Sequence, residues 1–247
     1  MKITGDLHTH TTYSHGKGSM EDNVRQALEL GLKKIAITDH GSGHLFYGVK
    51  KENWKRMRKE ADDLQKKYPS IKIELGVEAN IISTDGTIDV DKELFQLLDV
   101  VNVGYHYGVG VKKISDIFGF YILNLLAKGF PALRGKARRV NTKALLLAMD
   151  RYKIRMITHP GAKVPVDMAQ IAQKAAKKKV LLEINAHHGH LTAKDVKIAM
   201  EYPVKFAINS DAHESRHVGM VEEGIKIAQE AGLDPKRIMN VEGDGTK

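Results

Sequence analysis

The sequence predicts an α/β protein whose parallel strands close into a barrel, with an open doubly wound sheet as the alternative. Three observations carry this expectation. Short apolar runs rich in β-branched residues alternate seven times with amphipathic stretches, which is how a buried parallel sheet covered by helices reads. The 247 residues fit a single α/β barrel. Histidines and carboxylates also recur at the ends of the strand-like runs, as on the functional rim of such a barrel.

The strand-like runs cover residues 2–7, 34–38, 71–78, 100–105, 156–158, 180–184 and 205–209. Helical spacing is expected over 19–31, with Ser19 as N-cap and Gly31 as the C-terminal stop. Further helices are expected over 52–67, 92–98, 142–151, 167–178, 193–201 and 218–231. Only 107–140 lacks a strand for longer than most connections in compact domains. Within it Ile114, Ile117, Phe118, Tyr121, Ile122, Leu125 and Leu126 keep helical spacing. That helix either packs on the barrel or forms a lid or partner surface. Arg134, Lys136, Arg138 and Arg139 read as a basic loop behind it, which either reaches a phosphate or is plain surface. No internal repeat or linker divides the chain, so residues 1–247 read as one barrel domain with an insertion or lid-like segment at about 107–140.

With no cysteine, disulfides, thiolate ligands and a cysteine nucleophile are excluded. No stretch approaches the roughly 20 apolar residues of a membrane span. Met1 to Asp6 carries no secretory pattern, so a cytoplasmic protein without membrane partners is expected. The 39 basic against 30 acidic residues leave a net charge of +9, which steers anionic substrates without by itself showing nucleic-acid binding.

Twelve histidines are unusual less for their number than for their places. His8 and His10 follow strand one, Asp39 and His40 strand two, Glu78 closes strand three, and His106 follows strand four. His159 follows strand five, while Asp211 and His213 follow strand seven. In an extended segment side chains two residues apart point the same way, so His8-Thr9-His10 and Asp211-Ala212-His213 can each offer two donors to one ion. Asp6 is expected either as a ligand or as a partner fixing an imidazole tautomer. Imidazole with carboxylate and no thiolate suits zinc, manganese or iron. So many donors exceed the roughly four to six positions of one ion and fit two or three, with Glu78 a natural bridge.

These residues resemble a known family. Asp6-Leu7-His8-Thr9-His10, Ser14-His15 and Ile37-Thr38-Asp39-His40 look like the first motifs of the PHP (polymerase and histidinol phosphatase) family. Gly76-Val77-Glu78-Ala79-Asn80, Gly104-Tyr105-His106, Thr158-His159-Pro160, Glu183-Ile184-Asn185 and Ser210-Asp211-Ala212-His213 look like its later ones. The resemblance implies a distorted, TIM-like (β/α)7 barrel with a trinuclear site at the C-terminal rim of the strands, of the stand-alone phosphoesterase kind. It implies that His8, His10, Glu78 and Asp211 surround one metal, that Glu78, His106 and His159 hold a second, and that His15, His40 and His213 hold a third. The 107–140 segment is longer than the resemblance leads one to expect and borders the mouth.

Other residues are expected to matter less. His44 touches either a substrate phosphate or water, and His187, His188 and His190 read as mobile surface histidines. His217 is expected to begin a helix and to pack or cap, Lys163 and Arg216, in rim loops, either to lie on the surface or to neutralise substrate charge, and Trp54 to be core or helix-packing surface.

The reaction expected is hydrolysis of a small phosphate monoester. A metal-bridging hydroxide near Glu78 is the nucleophile, Asp211 is a further catalytic carboxylate, and Asp39 or His44 assists the leaving group. About three divalent ions (Zn, Mn or Fe) are the cofactors. A phosphodiesterase or nuclease is the alternative, since PHP domains also accompany DNA polymerases. A non-catalytic metal-binding module and a hydrolase of other bonds are the lesser readings. The oligomeric state is open.

Overall fold

The computed structural model describes residues 1–242. Seven strands, β1 (Gly5–Thr9), β2 (Lys34–Ile37), β3 (Lys72–Asn80), β4 (Val100–Gly104), β5 (Met156–Ile157), β6 (Leu181–Asn185) and β7 (Phe206–Asn209), pair in sequence order. Every neighbouring pair is parallel. A doubly wound sheet reverses its strand order part-way; this one never does, so the barrel expectation holds and the open alternative falls.

The seam between β7 and β1 is closed by loops and side chains, with no regular ladder. The His10 N–H donates to the Ala212 carbonyl at 2.8 Å, and the Leu7 N–H to Asn209 Oδ1 at 3.0 Å. The barrel is therefore distorted at the junction that carries His8, His10 and Asp211. β1 begins later than expected because residues before it turn to the other end of the chain: Ile3 bridges Val241 and the Thr4 N–H donates to Asn240. This shift places His8 inside the strand.

The helices α1 (Met20–Glu29), α2 (Asn53–Lys67), α3 (Lys92–Leu97), α4 (Ile114–Asp116), α5 (Leu123–Gly129), α6 (Pro131–Arg151), α7 (Met168–Lys178), α8 (Ala193–Met200) and α9 (Glu222–Ala231) complete the described elements. Ser19 caps α1 through a capping box with Asp22. Apolar side chains such as Leu75, Val77, Leu145, Ile171 and Phe206 fill the layer between sheet and helices, and Trp54 joins them, buried, with Nε1 donating to Ser42. No helix of the described residues is long and apolar enough to cross a membrane.

Between β4 and β5 the chain is helical nearly throughout. α4 passes through a π-helical turn over Ile117–Ile122 into α5, as the apolar spacing predicts. The basic loop is corrected: Arg134, Lys136, Arg138 and Arg139 lie on α6, which Pro131 opens at its first turn. Proline is tolerated in a helix's first turn, and the surrounding Ala, Leu, Arg and Lys are good helix formers. A second correction concerns His217, which ends a 3₁₀ turn, Ser215–His217, ahead of α9. The chain cannot run straight into the helix there, because Gly219 takes φ 78° and gives its N–H to Asp6.

Candidate metal centre

Parallel strands deliver their C-terminal ends to one rim, and the histidines and carboxylates meet there. Glu78 is the focus. Its Oε2 lies 3.3 Å from His8 Nε2, 3.6 Å from His10 Nε2 and 3.1 Å from His40 Nδ1. Its Oε1 lies 3.2 Å from His106 Nε2 and 2.9 Å from His159 Nε2. Asp211 Oδ1 stands 3.1 Å from His10 Nε2 and 3.5 Å from His8 Nε2. His15 joins from the loop after β1, its ring centroid 4.9 Å from His40 and 4.2 Å from His213.

Several imidazoles are held by one nitrogen so that the other faces the cluster. His8 Nδ1 donates to Glu183 Oε1 at 2.8 Å, which leaves Nε2 directed at Glu78 and His10. His106 Nδ1 donates to Asn80 Oδ1 at 2.7 Å, and Asn80 is itself held by Asp89 at 2.6 Å. His213 Nδ1 donates to the Asp211 carbonyl at 2.8 Å. Outer partners of this kind fix the tautomer of a metal-binding histidine. Glu183 also accepts from the His159 N–H at 2.9 Å and from Asn185 and Asn209, so it ties β6 to three neighbours.

Electrostatics follow from this crowding. Burial pushes the Glu78 carboxyl up, but the imidazoles of His106 and His8 outweigh it and hold it well below the usual range. Asp211 is likewise depressed by His8 and His10 against the effect of burial. Burial pulls His8 down, but the field of Glu183, Glu78 and Asp211 prevails and raises it well above the ordinary imidazole value. His15 and His106 are pushed down to about 3, chiefly by burial and, more weakly, by neighbouring imidazoles. His15 is neutral, with a lone pair available, across the neutral range.

The donor set fits divalent cations. His10, His15, His40 and His213 offer nitrogens within 4.8 Å of one another, as do the donor atoms of His8, His10 and Asp211 and those of His40, Glu78 and His106. Asp211 Oδ1 and the Nδ1 atoms of His10, His15, His40 and His159 are buried without a hydrogen-bond partner. Such orphaned atoms are expensive unless something binds them. His159 and Asp211 also sit at φ 29° and 53°, where a non-glycine residue is strained by about 1–3 kcal/mol. Backbone strain of this sort accumulates where side chains must be aimed.

A cavity of about 520 Å³ opens above the cluster, its walls including His15, His40, His44, Tyr47, Glu78, His106, Tyr107, Lys163 and Asp211. His44 lies in this wall with Nδ1 accepting from the Tyr47 N–H at 3.1 Å, its ring lowered to about 4 mainly by burial. His187, His188 and His217 line it too; His187 and His188 are exposed, as their surface reading expects, and border the open side of the cavity. His188 Nε2 is 3.5 Å from Asp211 Oδ2, and the donor atoms of His159, His188 and Asp211 again lie within 4.8 Å of each other. Lys163 also reaches the wall, whereas Arg216 stays on the surface, paired with Glu214 at 2.8 Å.

Two carboxylates lie elsewhere than expected. Asp39 is buried beneath the rim, its oxygens taken by the Thr11 N–H at 2.8 Å, the Thr11 hydroxyl at 2.7 Å and the Ser14 hydroxyl. Asp6 touches no imidazole ring: it accepts from the Gly219 N–H at 2.9 Å and from the hydroxyl and N–H of Ser210, and so braces the loops after β7. The tautomer-fixing role expected of Asp6 is met by Glu183, which sequence reasoning left without a role.

A profile of the PHP domain family matches residues 6–187. The chain belongs to the PHP domain family. It is 29% identical to the probable phosphatase YcdX of Escherichia coli O81 (strain ED1a), over 96% of this chain and 89% of that protein. The PHP chain also shares its fold with the histidinol phosphate phosphatase of Lactococcus lactis, solved with zinc, L-histidinol and phosphate: TM-score 0.65, 16% identity and 95% coverage of both chains. A putative histidinol phosphatase of Listeria monocytogenes gives TM-score 0.63 at 19% identity, covering 87% of this chain and 97% of that one.

Proposed function

We propose that this PHP protein is a metal-dependent phosphatase that hydrolyses small phosphate monoesters, with about three divalent ions (Zn, Mn or Fe) on the rim. The observation that carries the reading is the convergence of five imidazoles on the two oxygens of Glu78. The phosphatase name of its E. coli relative and the zinc and phosphate in its Lactococcus fold neighbour support the chemistry.

His8, His10 and Asp211 would hold one ion with Glu78; His106 and His159 would share Glu78 with a second; His15, His40 and His213 would hold a third. Bound ions of this class supply an activated water and cancel charge on the phosphoryl oxygens. The protein's own part is positional. Glu183 keeps the His8 ring in its working tautomer. Asp39 fastens the Thr11–Ser14 turn that delivers His15, a positioning role in place of direct help to the leaving group. Lys163 and His44 in the wall bind the phosphate or its leaving group, and the cavity of about 520 Å³ has room for a small ester. We take direct attack by water as the reading, since among the described residues the wall holds no serine, threonine or cysteine. We read residues 1–247 as one such barrel, with 107–140 inserted beside the mouth.

The test is phosphate release from a panel of mono- and diesters, including short DNA, by wild type and Glu78→Ala. Turnover of monoesters by the wild type alone is expected. Cleavage of diesters or DNA only transfers the reading to a nuclease. Trapping of a phosphorylated side chain would overturn direct attack by water.

A further inference from the structure

We propose that the face formed by α4, α5 and the first half of α6 docks on an anionic lipid bilayer surface. The inference stands independently of the hydrolytic reading. Residues 112–143 carry eight lysines and arginines against one acid, Asp116, so this stretch holds +7 of the chain's net +9. Asp116 is buried and spent on the Thr84 hydroxyl and N–H, both at 2.9 Å. Among the described residues only Lys112 of the eight cations pairs with an acid, Asp85 at 3.2 Å. Cations of α1 and α2 differ: Arg25, Arg58, Lys59 and Lys67 each sit within 3.0 Å of a carboxylate.

The same face exposes large apolar side chains. Ile114 is 79% exposed, Phe118 63%, Leu125 69% and Phe130 60%. Apolar and cationic groups are interleaved here: Phe118, Ile122 and Leu126 line a groove of about 550 Å³ together with Lys136 and Lys143. Aliphatic side chains among unpaired cations are what an interfacial helix presents to acyl chains and anionic headgroups. A second copy fits poorly, because a two-fold contact would set one +7 stretch against another. Nucleic acid would use the cations and the rings of Phe118 and Phe130 but not the exposed isoleucines and leucines that outnumber them. Peripheral docking needs no membrane span. The face reaches the mouth of the cavity, since Lys128 Nζ lies 4.6 Å over the ring of Tyr107.

The experiment is co-sedimentation of the full chain with vesicles of phosphatidylcholine alone or with about a third phosphatidylglycerol, repeated at high salt. Binding to the anionic vesicles only is expected. Phe118→Glu with Leu125→Glu should lower the bound fraction about ten-fold or more, and so should Lys136→Glu with Lys143→Glu. The circular dichroism spectrum and unfolding midpoint of these variants should stay at the wild-type values, which reports that they fold. Absence of vesicle binding overturns the proposal, as does binding that survives Phe118→Glu with Leu125→Glu. Dimerisation in light scattering that Phe118→Glu with Leu125→Glu abolishes would assign the face to a second copy. DNA binding that those two changes leave intact, in a protein that ignores vesicles, would assign it to nucleic acid.

Discussion

The two ends of the barrel both bury charge but resolve it in opposite ways. At the N-terminal end Glu74 on β3 is met by cations of its own chain: Arg155 contacts it directly, Lys72 lies at 2.9 Å and Lys34 at 3.7 Å. Arg155 also donates to the Leu7 carbonyl at 3.2 Å, reaching up inside the strands. Burial pushes Glu74 up, yet Arg155 and the lysines hold it below the usual carboxylate range. At the C-terminal end Glu78, four residues along the same strand, is surrounded by imidazoles, and orphaned buried atoms and strained backbone cluster around it. One end is neutralised internally and serves stability. The other is left incomplete in a way that a cation completes, as sites that trade stability for function are.

Exchanging the consequences of the two glutamates would break this comparison. Glu78→Ala should lower kcat/KM about 10³-fold or more, while the unfolding midpoint of chelator-treated protein stays level or rises. Glu74→Gln should do the reverse, losing about 3 kcal/mol in denaturant titration with turnover at 25 °C unchanged. Glu183→Gln sharpens the picture, because the acid orients His8 and braces the backbone of His159 instead of facing the cavity itself: a loss of about 10–100-fold is expected, partly recovered by excess divalent metal in the assay. The smallest effect is in pH. The folded-state value of Glu74 is depressed, so its contribution is complete above the unfolded value of about 4.3 and fades as pH falls through the lower folded one. The stability gap between wild type and Glu74→Gln should therefore close in acid. A gap that widened there would contradict the ion-pair account.

Much of this contrast was legible in the sequence, because strand ends are marked by where β-branched runs stop. His8, His10, His40, Glu78, His106, His159, Asp211 and His213 stand at those stops, and parallel topology brings them together. What was hidden depended on contacts across the chain. Glu183 lies 175 residues from His8, and nothing local couples them. A signal existed nonetheless: an acid inside the apolar strand Leu181–Asn185 cannot face the hydrophobic layer, so it must point into the barrel. Asp6, near His8 in sequence, was the wrong candidate because it sits on the seam and is drawn to Ser210 and Gly219. His188 reads from the sequence as a surface residue because its loop carries no periodicity; the loop after β6 brings it to 3.5 Å from Asp211. Helix α6 was foreseen from Thr142 but begins at Pro131, because the Ala, Leu, Arg and Lys of 132–139 are good helix formers.

The most direct test is the metal content per chain of wild type, Glu78→Ala and Glu74→Gln, measured by mass spectrometry on the samples used for phosphate release. The account predicts about three divalent ions and monoester turnover in wild type and Glu74→Gln, with fewer ions and no turnover in Glu78→Ala. Full metal content and turnover in Glu78→Ala, or loss of metal in Glu74→Gln, would contradict it.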